Sequence, residues 1–152
     1  MKKFLISSTF AIACVPLLAS AAAPANLLSS TGTTCTAGNI CIAFANKTDQ
    51  TEPVDAQAYM YYIANGVKKT SRLYNANLHS GDSTIIFQEP IVKLEKANAS
   101  EFGSYTLIIG NGYQPTPGCK VQLTAPFTAG VYTMNIFADS NPYDGYHCTI
   151  TN

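Results

Sequence analysis

The sequence predicts an all-β fold: a single-domain antiparallel β-sandwich of about eight strands, held by two disulfides. Three observations favour this fold class. Short runs rich in Val, Ile, Tyr and Thr recur between turn residues, several of these runs alternate apolar with polar residues, and the cysteine count is typical of an exported domain.

Residues 1–25 have the pattern of a secretory signal peptide. Lys2 and Lys3 precede an apolar run, and small residues follow at which cleavage near Ala21 or Ala25 is expected. The run is about 15 residues long, shorter than the roughly 20 that span a bilayer, so no stable membrane insertion is expected after cleavage. We therefore expect export to the periplasm or the extracellular space, with residues 26–152 forming one domain.

Charge and motifs exclude several classes of function. The chain has nine basic and nine acidic residues, and loss of Lys2 and Lys3 with the leader leaves a net charge of about −2. With no basic run, the mature chain lacks the electrostatic footprint of a nucleic-acid-binding protein. No GxSxG elbow, HExxH motif or Gly-rich phosphate loop is present, so we expect no cofactor and favour a protein that is not an enzyme.

Strands are predicted where β-forming residues lie between turn residues, at 39–46, 56–64, 67–74, 83–88, 104–109, 119–124, 130–137 and 145–151. Alternation is clear in the last run, where Tyr146, Cys148 and Ile150 alternate with polar residues. Short strands with frequent turns resemble the immunoglobulin-like architecture in its broad sense. That resemblance names no family, and such scaffolds host many functions.

Two segments are ambiguous between strand and helix. Residues 52–64 have helical caps and spacing, but YMYYI is dense in β-forming residues and Asn65-Gly66 is a hairpin signal, so a strand is favoured. The stretch IVKLEKANASEF has a weaker form of the same ambiguity and has room for one helical turn.

Four cysteines remain after the leader, and an even count in an exported domain predicts two disulfides. Cys119 and Cys148 lie on the apolar faces of their strands, so we expect the pairs Cys35–Cys41 and Cys119–Cys148. His147 points to the opposite face of its strand from Cys148, which argues against a catalytic cysteine–histidine pair.

No metal site is predicted. Oxidised cysteines are not zinc ligands, and the CTAGNIC spacing is wide for a zinc knuckle. Residues 139–145 superficially resemble a calcium loop, but they lack its full register and its distal glutamate.

Strand parity predicts where the longer loops lie. If the strands run alternately up and down, the loops at 46–55, 75–82, 110–118 and 138–144 emerge at one end. Their candidate binding residues are Asp49, Asp55, His79, Asp82, Tyr113, Asp139, Asn141, Tyr143 and Asp144. Loops on a rigid scaffold commonly bind partners, although aspartate is also an ordinary turn residue.

The favoured hypothesis is an exported, non-enzymatic domain that binds a protein or glycan through this end. One alternative is a small secreted hydrolase that uses His79 or His147 with loop carboxylates. Another is a structural or adhesin subunit that assembles through an exposed edge strand. The sequence alone specifies no oligomeric state.

Overall fold

The computed structural model describes residues 34–110, 113, 115–141 and 143–152. The predicted signal peptide at 1–25, with its cleavage near Ala21 or Ala25, lies outside the described residues. The elements in chain order are β1 (Asn39–Asn46), β2 (Val54–Ala64), β3 (Val67–Leu78), β4 (Ser83–Pro90), α1 (Ile91–Lys96), β5 (Ala99–Ile109), β6 (Thr116–Thr124), β7 (Gly130–Ala138) and β8 (Tyr146–Thr151).

The eight predicted strands are confirmed, and several are longer than predicted. The ambiguous segment 52–64 is a strand, β2, and it turns into β3 at Asn65 and Gly66. Both turn residues have positive φ, 52° and 74°, as a tight type I′ hairpin turn requires. The stretch IVKLEKANASEF contains α1, and β5 then begins at Ala99, five residues before the predicted start at 104.

The strands form two four-stranded sheets. Sheet A has the order β4-β1-β7-β8, and sheet B has the order β3-β2-β5-β6. Neighbouring strands pair antiparallel except β1 and β7, which run parallel from Ile40 opposite Gly130 to Asn46 opposite Ile136. The prediction of a wholly antiparallel fold is therefore wrong at this pairing. Parity explains the exception, because two odd-numbered strands run in the same direction when they become neighbours.

The inner faces of the two sheets share one hydrophobic core. Sheet A contributes Phe44 and Met134, and sheet B contributes Met60, Phe102 and Ile108, all at most 1% exposed. The two sheets thus form a sandwich-like arrangement in which alternate residues of each strand point inward. No helix within the described residues is long and apolar enough to cross a membrane.

Both predicted disulfides are confirmed. Cys35 and Cys41 lie 6.0 Å apart between Cα atoms, on the outer face of sheet A beside Ile85. Cys119 and Cys148 lie 5.6 Å apart and join β6 to β8, the edge strands of the two sheets. Two disulfides indicate a non-reducing environment outside the cytoplasm.

Glu89 is a buried carboxylate next to the junction between β4 and α1. Glu89 is 1% exposed, its Oε1 accepts a hydrogen bond from Lys93 Nζ at 2.8 Å, and its Oε2 has no partner among the described residues. Burial raises the pKa of Glu89, and Lys93 opposes that shift only in part. The ionised form of Glu89 therefore costs stability at neutral pH.

The two disulfides should differ in their effect on stability. In the chain-entropy model the ring closed by Cys119–Cys148 is worth about 3.5 kcal/mol and the ring closed by Cys35–Cys41 about 2.4 kcal/mol. Replacing both cysteines of the longer ring by alanine should therefore lower the free energy of unfolding more, as measured by urea denaturation. A larger loss from the Cys35/Cys41 double variant would contradict this ranking.

Acidification should stabilise the native protein through Glu89. Because the pKa of Glu89 is raised in the folded state, that state binds more protons than the unfolded chain as the pH falls from neutral toward the ordinary carboxyl value of 4.5. The difference in Tm between the parent protein and the Glu89→Gln variant should therefore shift in favour of the parent as the pH is lowered from 7 to 4.5, as measured by thermal denaturation. A relative Tm that falls with acid would mean that the ion pair with Lys93 outweighs burial.

Candidate binding surface at the loop end

Loops from both sheets meet at one end of the molecule, as strand parity predicts. We define the loop end as residues 47–53, 79–82, 110, 113, 115, 139–141 and 143–145. Asn46 at the end of β1 donates its N–H to the Asp82 carbonyl at 2.9 Å and accepts from Gly81 N at 3.0 Å. Lys47 N donates to the Ile136 carbonyl at 2.8 Å, which brings the end of β7 to the same place.

Asn46 joins two of these loops through its side chain. It is fully buried, its Nδ2 donates to the Leu78 carbonyl at 2.9 Å, and its Oδ1 accepts from Thr48 N at 2.9 Å. Ser80 Oγ adds a hydrogen bond to the Thr48 carbonyl at 2.5 Å. A buried asparagine with both ends of its amide satisfied fixes the backbone around it. Sequence reasoning missed this residue, since it lies at the end of an apolar strand and resembles an ordinary turn asparagine.

Tyr146 joins the other loops. Its side chain is 2% exposed, its hydroxyl donates to Gln50 Oε1 at 2.9 Å, and its N–H donates to Thr116 Oγ1 at 3.0 Å. The Tyr113 ring packs against it with centroids 5.1 Å apart. Gly110 has no side chain, and a Cβ there would overlap the Tyr146 hydroxyl. Burial raises the pKa of Tyr146, so its hydroxyl remains a hydrogen-bond donor at neutral pH.

The five aspartates at or beside the loop end fall into two groups. Three are engaged within the protein: Asp55 accepts from Asn77 Nδ2 at 2.6 Å, Asp82 accepts from His79 N at 2.9 Å, and Asp139 contacts His147. Within the described part of the chain, the carboxylates of Asp49 and Asp144 have no partner, and both residues are exposed. Fewer carboxylates are therefore available to a partner at the loop end than the number of aspartates in the sequence suggests.

The loop between β7 and β8 presents its side chains through a local turn. Asn141 Oδ1 accepts from Tyr143 N at 3.1 Å, and its carbonyl accepts from Asp144 N at 2.9 Å. The loop closes where Asp139 N donates to the Gly145 carbonyl at 3.0 Å, with Gly145 at φ 81°. Asparagine at the start of a turn satisfies the backbone in this way. Tyr143 is left 81% exposed at the tip.

His147 and Asp139 form a pair; the hydrolase alternative combined His147 with loop carboxylates but did not specify this aspartate. His147 is exposed and lies on the opposite face of β8 from Cys148, as expected from alternation. Its Nδ1 lies 2.6 Å from Asp139 Oδ1, and its ring stacks on Phe137 with centroids 5.3 Å apart. The sequence shows only that the two residues flank the same turn. Whether their side chains meet depends on the conformation of that turn.

In the part of the chain that the structure describes, this pair has no third partner of the kind that hydrolysis by a triad requires. Among the described residues, no serine, threonine or cysteine group bonds to the His147 imidazole. His79, the other candidate base, contacts Asp82 through its backbone N–H rather than its ring. Within the same residues, no three His, Cys, Asp or Glu side chains are grouped closely enough to hold a metal ion.

Two buried polar atoms of the loop end have no hydrogen-bond partner among the residues that the structure describes. Thr48 Oγ1 and Gln50 Nε2 are both inaccessible and make no hydrogen bond to any described residue. Such atoms are uncommon, because each costs about 1–3 kcal/mol when it is left unpaired. Both lie on the β1–β2 loop, next to the groups that fix Asn46 and Tyr146.

No family model matches this sequence, and no curated protein is significantly similar to it. The function is therefore inferred from the geometry of the loop end and of the remaining surface.

Proposed function

We propose that this protein is an exported, non-enzymatic domain that binds a protein or glycan partner through the loop end. In this proposal residues 1–25 direct export, and the two sheets act as an immunoglobulin-like scaffold in the broad sense. Residues 26–152 would then be the mature binding domain.

One observation carries the proposal: buried side chains cross-link the loops. Asn46 and Tyr146 are each at most 2% exposed. Both bond to the β1–β2 loop, Asn46 also bonds to the end of β3 and to the β3–β4 loop, and Tyr146 also bonds to the start of β6. Loops fixed in this way lose little conformational entropy when a partner binds, so more of the contact energy is available for affinity.

The exposed groups of the loop end suit a polar partner with some apolar surface. Tyr143 offers a ring with a hydroxyl, which is the side chain that binding surfaces favour. Asp144 follows it directly, and Asp49 supplies a second unpartnered carboxylate. Hydroxyl groups of a glycan, or amide and basic groups of a protein, would donate to these oxygens.

Removing groups from the exposed tip should weaken binding without weakening the fold. Tyr143→Ala and Asp144→Asn should each reduce affinity about tenfold for a partner found by glycan array or pull-down, because they remove exposed contacts. The free energy of unfolding should change by less than about 0.5 kcal/mol, as expected for surface substitutions. Glu95→Gln, on exposed α1, is the matched charge control. A partner whose affinity is unchanged by both tip variants would contradict the proposal.

A second candidate function is assembly through an edge, and a groove favours it. β6 and β8 are edge strands, and between them lies a groove of about 410 Å³. The groove residues are Lys120, Val121, Gln122, Leu123, Tyr132, Ile150 and Asn152. Ile150 is 40% exposed there, and unpaired edge strands accept an added strand.

Edge assembly should be sensitive to charge at the groove. If the protein assembles, its average mass should rise with concentration, as measured by light scattering after gel filtration, and Ile150→Lys should return it to a monomer. Val92→Lys, which alters an exposed apolar residue on α1, is the matched control. A concentration-independent monomer would exclude assembly by this edge and leave binding at the loop end as the function.

A further inference from the structure

The outer face of sheet B has a row of exposed side chains that runs across all four strands. Leu73 of β3 lies opposite Tyr59 of β2, Tyr59 lies opposite Tyr105 of β5, and Tyr105 lies opposite Lys120 of β6. The first three are 39%, 48% and 40% exposed. Each points away from the core because its strand neighbours, such as Ala58 and Met60, are buried in it.

A buried tyrosine, Tyr61, packs against this row. It lies on the same face as Tyr59 but is only 1% exposed, since its ring stacks on Tyr105 with centroids 4.8 Å apart. Its partner on β5 is Gly103, where a Cβ would come within 2.7 Å of the Tyr61 hydroxyl. That hydroxyl donates to Glu101 Oε1 at 2.6 Å, and the hydrogen bond lowers the pKa of Glu101.

Two lysines flank Tyr105. Lys68 Nζ lies 4.3 Å from the ring centroids of both Tyr61 and Tyr105 and donates to the Tyr105 hydroxyl at 3.1 Å. Lys120 Nζ lies 5.5 Å from the Tyr105 centroid. The two ammonium groups are therefore no more than about 10 Å apart, the sum of their distances to that ring. We call Tyr59, Tyr61, Tyr105, Lys68 and Lys120 the tyrosine face.

The positive charge of this face is not cancelled by a direct ion pair. Within the described residues neither lysine has a carboxylate within 4.0 Å. The two oxygens of Glu101 accept from Tyr61 and from Gln122, and these hydrogen bonds, followed by the charges of Lys120 and Lys68, lower its pKa. The hydrogen bond from Lys68 lowers the pKa of Tyr105, as expected beside positive charge.

Packing within the sheet accounts for only part of this cluster. A buried tyrosine that lies across a glycine stabilises a sheet, and this explains Tyr61. It does not explain why Tyr59, Tyr105 and Leu73 lie exposed side by side, with ammonium groups at the margin. Adjacent exposed rings with polar groups around them are typical of a surface that binds something.

We propose that the tyrosine face binds an acidic polysaccharide. Sugar rings would pack their C–H faces on Tyr59 and Tyr105, and uronic-acid carboxylates would pair with Lys68 and Lys120. Exposed tyrosine rings suit the C–H face of a sugar, and two cations no more than about 10 Å apart can both reach carboxylates of one repeating anion. This site lies on a sheet face and goes beyond the binding proposed for the loop end.

Two other classes of partner, a protein and a nucleic acid, suit this face less well than an acidic polysaccharide. A protein interface of standard size buries about 800 Å² on each side, far more than the few apolar side chains exposed here. A nucleic acid would need a phosphate-binding track, and this chain has no run of basic residues.

The test is an NMR titration of ¹⁵N-labelled protein with trigalacturonic acid and with its methyl ester, which keeps the rings and removes the charge. The acid should bind saturably and shift the amides of β2, β5 and β6, and the ester should bind at least tenfold more weakly. Raising NaCl from 50 to 300 mM should also weaken binding of the acid, since the contacts are charged.

Variants assign the binding to this face. The double variant Lys68→Gln/Lys120→Gln and the single variant Tyr59→Ala should each reduce affinity at least tenfold, while Lys96→Gln, an exposed lysine on α1, should change it less than twofold. All four altered residues are exposed, and circular dichroism will verify that each variant folds.

Several results would overturn the proposal. These are the absence of saturable binding at millimolar trigalacturonate, equal affinity for the ester, equal or tighter binding of ring-free polyphosphate, or a lysine double variant that binds as the parent does. Binding that is lost in Tyr143→Ala but kept in the lysine double variant would place the sugar at the loop end instead. That last result would contradict the tyrosine face and support the function proposed above.

Discussion

Burial of β1 on both faces is the constraint on which the structure depends. Ile42 and Phe44 point into the core between the sheets, and Cys41 and Ala43 are covered on the other side, so all four are at most 3% exposed. Hydrogen-bond ladders to β4 and β7 occupy both edges of the strand. A one-residue shift would bring the small side chains of Cys41 and Ala43 into the core and the larger ones of Ile42 and Phe44 to the other face, so packing fixes the register. The position of Asn46, its last residue, is therefore set by the core.

The two proposed surfaces are held in place by different parts of the fold. The loop end is built on the ends of β1 and β8, where buried polar side chains replace apolar packing and satisfy the backbone of the loops. The tyrosine face is built on the middle of β2 and β5, where the pleat of the sheet spaces the rings. Because they share no side chain, a substitution in one should leave the other unchanged. A protein of this size thus has room for two independent contacts.

Local patterns predicted the strands, both disulfide pairings and the end at which the loops emerge, because alternation and turn residues act over a few positions. The parallel pairing of β1 with β7 was missed, since neighbours in a sheet are chosen by long-range packing. The roles of Asn46 and Tyr146 were missed for a related reason, because each bonds through its buried side chain to a residue distant in the sequence. The cluster around Tyr105 was missed, because the lysines beside it come from other strands.

Gly103 is required to be a glycine by contacts from two directions. The tyrosine ring occupies the space that a side chain at position 103 would need, and the Val121 carbonyl crowds the same position from β6. Because the carbonyl is a backbone group, a smaller residue in place of the tyrosine would not make room for a side chain at position 103. Divergent relatives that keep this sheet should therefore keep the glycine even where the tyrosine is replaced, and a retained glycine would be a sequence record of how closely β6 approaches β5.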